Sequence, residues 1–148
     1  MRAVVTRVKS ASVTIGGKVN GEIGQGYRVL LGVGPNDTEA VAEKRAEKIV
    51  HLRVFEDEQG RMNRDIAAVG GRILVVSQFT LYADLSSRRP GFSHAAKPEL
   101  AKPLYEYFLA CLGDLGFPPE HGEFGADMQV ASVNDGPVTL LYELNPES

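Results

Sequence analysis

The sequence contains no tryptophan and a single cysteine, Cys111. One thiol excludes an intramolecular disulfide and fits a reducing cytoplasm. Basic charge is also scarce: 16 lysines and arginines stand against 19 aspartates and glutamates, a formal net charge of -3. A protein that coats long stretches of nucleic-acid backbone needs a broad basic surface, so that class is excluded. A few local cations gripping a short end are not. No apolar run is long enough to span a bilayer, and Met1 to Arg7 lacks the apolar core of a secretory signal. No membrane association is therefore expected. His51, His94 and His121 lie far apart without paired ligand spacing, so no metal is expected. The Gly-x-Ser-x-Gly elbow of serine hydrolases is missing. Gly32-Val33-Gly34 follows a strand, but Asp37 stands where a dinucleotide fingerprint needs its third glycine.

What is present is an ordinary globular composition, 43% hydrophobic and 24% charged over 148 residues, which predicts one domain covering 1–148. Arg2 to Lys9 and Ala11 to Ile15 read as two strands, Gly16-Gly17 as a hairpin turn, and Lys18 to Ile23 as the return. Tyr27 to Val33 reads as a buried strand. A helix follows, with Asn36 or Asp37 as its N-cap and Ala42, Ala46, Ile49 and Val50 on its apolar face. Residues 53–63 read as a hairpin turning at Gly60, and Arg72 to Val76 as a central strand buried on both faces. Ala83 to Ala96 has no periodicity and reads as a long loop. Leu100, Leu104, Phe108, Cys111 and Leu115 mark a second helix that ends at Gly113 or Gly116; Pro103 either kinks it or marks its first turn. Met128 and Val130 alternate like a strand face, Asn134 to Thr139 reads as a turn, and a last strand runs to Leu144. The order predicts an α+β fold: a mixed or antiparallel, barrel-like sheet with two main helices.

Ser77-Gln78-Phe79-Thr80 ends the most buried strand. It offers two hydroxyls, an amide and backbone N–H groups able to form an oxyanion hole, with no general base nearby in sequence. On spacing alone a structural strand end is the better reading. Cys111 falls on the apolar helix face and reads as a small hydrophobe.

Ser77-Gln78-Phe79-Thr80-Leu81-Tyr82 together with Asn134-Asp135-Gly136-Pro137-Val138-Thr139 resembles the motif pair of D-aminoacyl-tRNA deacylases. Arg7-Val8, Ala11-Ser12-Val13, Gly32-Val33, Gly70-Gly71, Arg89-Pro90 and Phe124 to Met128 extend the resemblance along the chain. Gly91 departs from it, standing where serine is common after Arg-Pro, and so does Pro103, which interrupts a helix.

The resemblance implies an enzyme that hydrolyses the ester between a D-amino acid and the terminal adenosine of tRNA. It implies a homodimer with sites at the dimer interface and no metal or other cofactor. Ser77, Gln78, Phe79 and Thr80 become the catalytic segment, with the Phe79 N–H as oxyanion donor. Gly136 and Pro137 become a chiral gate that reaches into the partner subunit's site, supported by Arg7 and Asn134. The gate is expected to contain a cis bond, whereas only about 5–6% of X–Pro bonds in folded proteins are cis. An L side chain would clash with this backbone, a D side chain would point to solvent, and glycine would not be fully excluded. Phe124, Gly125, Ala126 and Met128 become the adenosine pocket. Arg88, Arg89, Lys97 and Lys102 are candidate phosphate contacts, or a solvated basic surface. Without the resemblance, Arg7 reads as an exposed strand residue. Two other classes fit the same residues: a non-catalytic module that binds the tRNA 3′ end, and an interaction protein that pairs through apolar strand faces.

Overall fold

The computed structural model describes residues 1–143, and Leu144 of the expected last strand lies outside them. The chain opens with β1 (Arg2–Ile15), β2 (Lys18–Ile23) and β3 (Gly26–Gly32), then α1 (Glu39–Val50). A small hairpin of β4 (Phe55–Glu56) and β5 (Met62–Arg64) precedes β6 (Arg72–Ser77). A short 3-10 helix, η1 (Phe79–Tyr82), follows β6 directly. Then come α2 (Pro98–Asp114), β7 (Glu120–His121) and β8 (Gln129–Glu143). This is α+β, with a strongly curved six-stranded sheet.

The two strands expected at the N-terminus are one. β1 runs unbroken because its two halves share a partner: β8 pairs antiparallel with it from Arg2 to Thr14. Along its other edge, β3 pairs with residues 2–8 and β2 with residues 11–15. β6 adds parallel to β3, and β7 parallel to β6. The Asn20 side chain then donates to His121 O at 2.7 Å, linking β2 to β7 and drawing the sheet towards closure.

β6 shows why its sequence reads as wholly apolar. Ile73 and Val75 point into the core shared with the helices. Leu74 and Val76 point into a second core inside the curl, against Val8, Val13 and Ile23. Both faces of the strand are buried, so alternation is lost.

The helices cover one face of the sheet. α1 buries Ala42, Ala46, Ile49 and Val50 as the spacing predicts, and also Arg45. Its N-cap is Thr38, whose hydroxyl accepts from the Val41 N–H at 3.3 Å, rather than Asn36 or Asp37. Asp37 is engaged elsewhere: its carboxylate accepts from the Met1 ammonium and from the Gly34 N–H, both at 2.7 Å. α2 starts with Pro98 in its first turn and continues through Pro103. The first-turn role is thus filled by Pro98. Leu115, expected on the buried stripe, is instead the C-cap and 39% exposed. Gly116 follows at φ +95°, where a side chain would be strained. The Phe117 and Gly116 N–H groups return to the carbonyls of Leu112 and Gly113, the bonding pattern of a Schellman stop.

Candidate functional site

Ser77 closes β6, and the chain turns at once into η1. The turn is pinned by the Gln78 N–H, which donates to Leu31 O at 2.8 Å. The first bond inside the turn runs from the Leu81 N–H to Gln78 O. The N–H groups of Phe79 and Thr80 precede it, as the opening donors of any helical turn must. The Gln78 side-chain amide donates to the Thr80 hydroxyl at 2.5 Å. Thr80 Oγ1 is therefore held by an amide and has no basic partner there.

Beside this turn is a cleft of about 710 Å³, well within the size range of small-molecule sites. Val76, Ser77, Gln78 and Phe79 form one wall, and Phe124, Gly125, Ala126, Asp127 and Met128 another. The structure therefore brings together two segments that are nearly fifty positions apart in the chain. A third wall comes from the loop after η1 and the start of α2, including Phe92, Ala96, Lys97 and Ala101. In sequence, Phe92 falls in the aperiodic loop from Ala83 to Ala96. The signal available is that Phe92 is the one aromatic ring of Phe, Tyr or Trp in that stretch.

Asp127 is also new to the site, as a carboxylate on the cleft wall. The nearby tyrosines are not bases. Burial, followed by the field of Asp37, pushes the Tyr82 phenol up to about 12. Burial also raises Tyr105, whose hydroxyl donates to Val75 O at 3.3 Å. Burial likewise raises the Cys111 thiol, which disfavours a thiolate. Among the described residues no three His, Cys, Asp or Glu side chains are grouped to hold a metal ion.

The Asn134–Thr139 stretch is not a turn. It lies inside β8, with Gly136-Pro137 joined by a cis peptide bond. The pairing register explains its shape. Thr6 faces Thr139 and Val8 faces Asn134, so Arg7 alone stands opposite residues 135–138. These four residues bulge out of the sheet. Pro137 is tolerated because β8 is an edge strand, paired to β1 alone among the described strands.

Arg7 fills the space beneath the bulge and is 5% exposed. It is therefore not an exposed strand residue. Its Nε donates to Asp135 O at 3.2 Å, and its Nη1 donates to Val54 O at 2.5 Å. Its Nε also lies 3.6 Å from the Asp135 carboxylate. Arg7 thus holds the bulge through Asp135, the residue before Gly136. At Gly136, φ is +120°, and an added Cβ would lie 3.0 Å from Arg7 Nη2. The positive φ favours glycine there, and the guanidinium leaves little room for a Cβ. Asn134 is tied within β8: Ser132 Oγ donates to Asn134 Oδ1 at 2.8 Å.

Gly136 and Pro137 do not line the cleft that holds Ser77, Gln78 and Phe79. Arg88, Arg89, Lys97 and Lys102 are all exposed, but Lys97 alone of the four reaches the cleft lining.

The profile of the D-Tyr-tRNA(Tyr) deacylase family matches residues 4–143. This chain belongs to that family. A D-aminoacyl-tRNA deacylase of Symbiobacterium thermophilum is 57% identical over 144 residues, covering 97% of this chain and 95% of that protein. One from Thermus aquaticus is also 57% identical, over 97% of this chain and 95% of its own length. A solved structure titled c-Myc DNA Unwinding Element Binding Protein superposes with a TM-score of 0.93 at 44% identity, covering 98% of this chain and 99% of that one. A second, titled as a probable eukaryotic D-amino acid tRNA deacylase, gives a TM-score of 0.86 at 14% identity over 97% and 98% of the two chains, a likeness of fold. The family's fold is thus two helices on a nearly closed, barrel-like sheet.

Proposed function

We propose that this chain is a D-aminoacyl-tRNA deacylase, hydrolysing the ester that joins a D-amino acid to the tRNA 3′ end. The observation that carries the reading is the single cleft uniting Ser77-Gln78-Phe79 with Phe124 to Met128. A turn rich in backbone N–H donors beside an apolar wall, in a cleft large enough for a nucleoside, supports it. Full-length family relatives named for this activity support it.

The aminoacyl ester is already activated, so modest catalysis suffices. The Phe79 N–H, aided by that of Thr80, stabilises the developing oxyanion. Water attacks, helped by the 2′-hydroxyl of the terminal ribose, and Thr80 is not the nucleophile. Gln78, through its bond to Thr80, shapes the turn. The terminal adenosine occupies the wall from Phe124 to Met128.

Chirality is set by the carbonyls of Gly136 and Pro137, which accept the substrate's amino group. With the amino group fixed there, an L side chain runs into backbone and a D side chain reaches solvent. Glycyl-tRNA, lacking a side chain, is a weaker substrate of the same site. Within one chain the gate lies off the cleft, so a second copy supplies it, and the working unit is a homodimer in the cytoplasm. Support for the dimer comes from β8, whose Val133 and Leu141 are 55% and 60% exposed on an edge strand. Apolar edge strands of this length are ordinarily covered.

The test is to charge tRNA with D-Tyr and with L-Tyr, add the protein and a chelator, and follow ester loss. Selective loss of D-Tyr is the expected result. Loss of both makes the protein a general esterase. Loss of neither leaves a binding module for the tRNA end.

A further inference from the structure

Neither the third wall of the cleft nor the ring of Phe79, on the wall beside it, has a part in the chemistry above. Phe79 is 53% exposed at the start of η1, and Phe92 is 41% exposed on the loop after it. Their rings meet edge to face, with centroids 5.1 Å apart and planes at 75°. Both line the cleft, and so does Lys97.

The loop that carries Phe92 is tied down on both sides of it. Asp84 and Gly91 exchange two backbone hydrogen bonds, at 2.7 and 3.0 Å, and the Ala96 N–H donates to Val33 O at 2.9 Å. The Asp84 carboxylate accepts from the Ser86 N–H at 2.9 Å. The Phe92 ring is thus presented from a fixed frame. Exposed rings beside a cation are what a single nucleic-acid strand uses: bases stack on the rings and the phosphodiester meets the charge.

We propose that Phe92, braced by Phe79, is the stacking platform for the nucleotide immediately 5′ of the terminal adenosine, with Lys97 facing the phosphodiester that joins the two. The inference rests on reading the cleft as the site of a tRNA 3′ end. It assigns the rings to RNA and not to the amino-acid side chain, because Lys97, a cation lining the same cleft, suits a strand carrying phosphate.

The test is a binding titration of the full chain with two uncharged probes, adenosine and the trinucleotide cytidylyl-cytidylyl-adenosine. Wild-type protein binds the trinucleotide more tightly. Phe92→Ala loses about ten-fold more affinity for the trinucleotide than for adenosine, as expected for one lost base stack, and Phe92→Tyr restores most of it. Equal affinities of the wild type for the two probes overturn the platform. So does an equal loss on both in Phe92→Ala. A third contrary result would come from aminoacylated adenosines: a Phe92→Ala defect larger for D-Tyr than for D-Ala gives the rings to the side chain. Because binding is read without hydrolysis, the two readings fail separately. Inactivity towards D-Tyr-tRNA with Phe92-dependent trinucleotide binding refutes the deacylase and keeps the platform. Activity without that dependence does the reverse.

Discussion

Ser77 ends a strand in which Ile73, Leu74, Val75 and Val76 are all buried. Gly136 and Pro137 are exposed on an edge strand with one neighbour. The turn proposed to be catalytic therefore inherits its position from two cores, one on each face of β6. The bulge inherits its position from one side chain, Arg7. The first half of the proposed site is finished by the chain itself. The second is a presented element, shaped internally but facing outward. A site divided in this way makes unequal demands on the two halves, and substitutions should separate them.

The largest effect is expected at Arg7. Arg7→Ala removes charge-assisted bonds to Val54 O and Asp135 O, each worth about 1.5–3 kcal/mol when the donor is charged. The protein should lose about 3 kcal/mol of stability by denaturant unfolding. Deacylation of D-Tyr-tRNA should fall about 100-fold, the scale of a misplaced positioning group. Arg7→Lys should recover part of the stability but little activity, since one ammonium cannot hold both carbonyls. An Arg7→Ala protein with wild-type activity would mean that the bulge needs no anchor.

Thr80→Ala comes next. It takes from Gln78 its hydrogen-bond acceptor, but it leaves the N–H groups of η1 in place. A loss of about ten-fold or less in kcat is expected, consistent with one neutral hydrogen bond. A folded, tRNA-binding Thr80→Ala protein without activity would make the hydroxyl the nucleophile. Asp127→Asn should matter still less, within about three-fold. A drop of about 100-fold or more, the size of a general-base contribution, would contradict the base-free mechanism.

Sequence reasoning reached much of the first half and less of the second. The apolar run of β6 is legible because burial on both faces leaves no alternation. The α1 face is legible because its period is helical. Thr38 is not singled out in the sequence because Asn36 and Asp37 are equally good capping types, and only the Met1 ammonium and Gly34 N–H draw Asp37 away. The bulge looked like a turn because Asn, Asp, Gly and Pro carry the same local preferences in both. What distinguishes them is Thr6 and Val8 pairing on either side of it, and that is tertiary. The cleft draws residues from three distant segments. Phe92 and Asp127 entered it through packing that no spacing announces. β7, only two residues long, exists because β6 offers it an edge.

The smallest effect is expected in the loop that carries Phe92. The Ser86 N–H, then the Ser86 hydroxyl, with His94 beside them, hold the Asp84 carboxyl below the usual carboxylate range. Lowered in the folded state, it supports the loop at any pH above the ordinary carboxylate value and loses that support as pH falls through its own lower value. Protection of the amides of residues 84–96, corrected for the intrinsic pH dependence of exchange, should therefore be flat from neutral pH down to about 4 and fall below it. Asp84→Asn should raise exchange at neutral pH and leave β6 protection unchanged. A rise that spreads to β6 would mean that the loop and the core are one cooperative unit.

The central claim is that the turn and the bulge meet across two copies of the chain, and mixing two crippled variants tests it most directly. Phe79→Pro removes the Phe79 N–H at the first position of η1, where proline fits a helical turn. Gly136→Val blocks the bulge, where a Cβ already meets Arg7 and Val138. Each variant alone should be inactive on D-Tyr-tRNA. Co-expressed, they should regain about one quarter of wild-type activity, because half of randomly paired dimers hold one intact site of two. Two inactive variants that remain inactive when mixed as dimers would place the turn and the bulge of each site in the same chain and contradict the account.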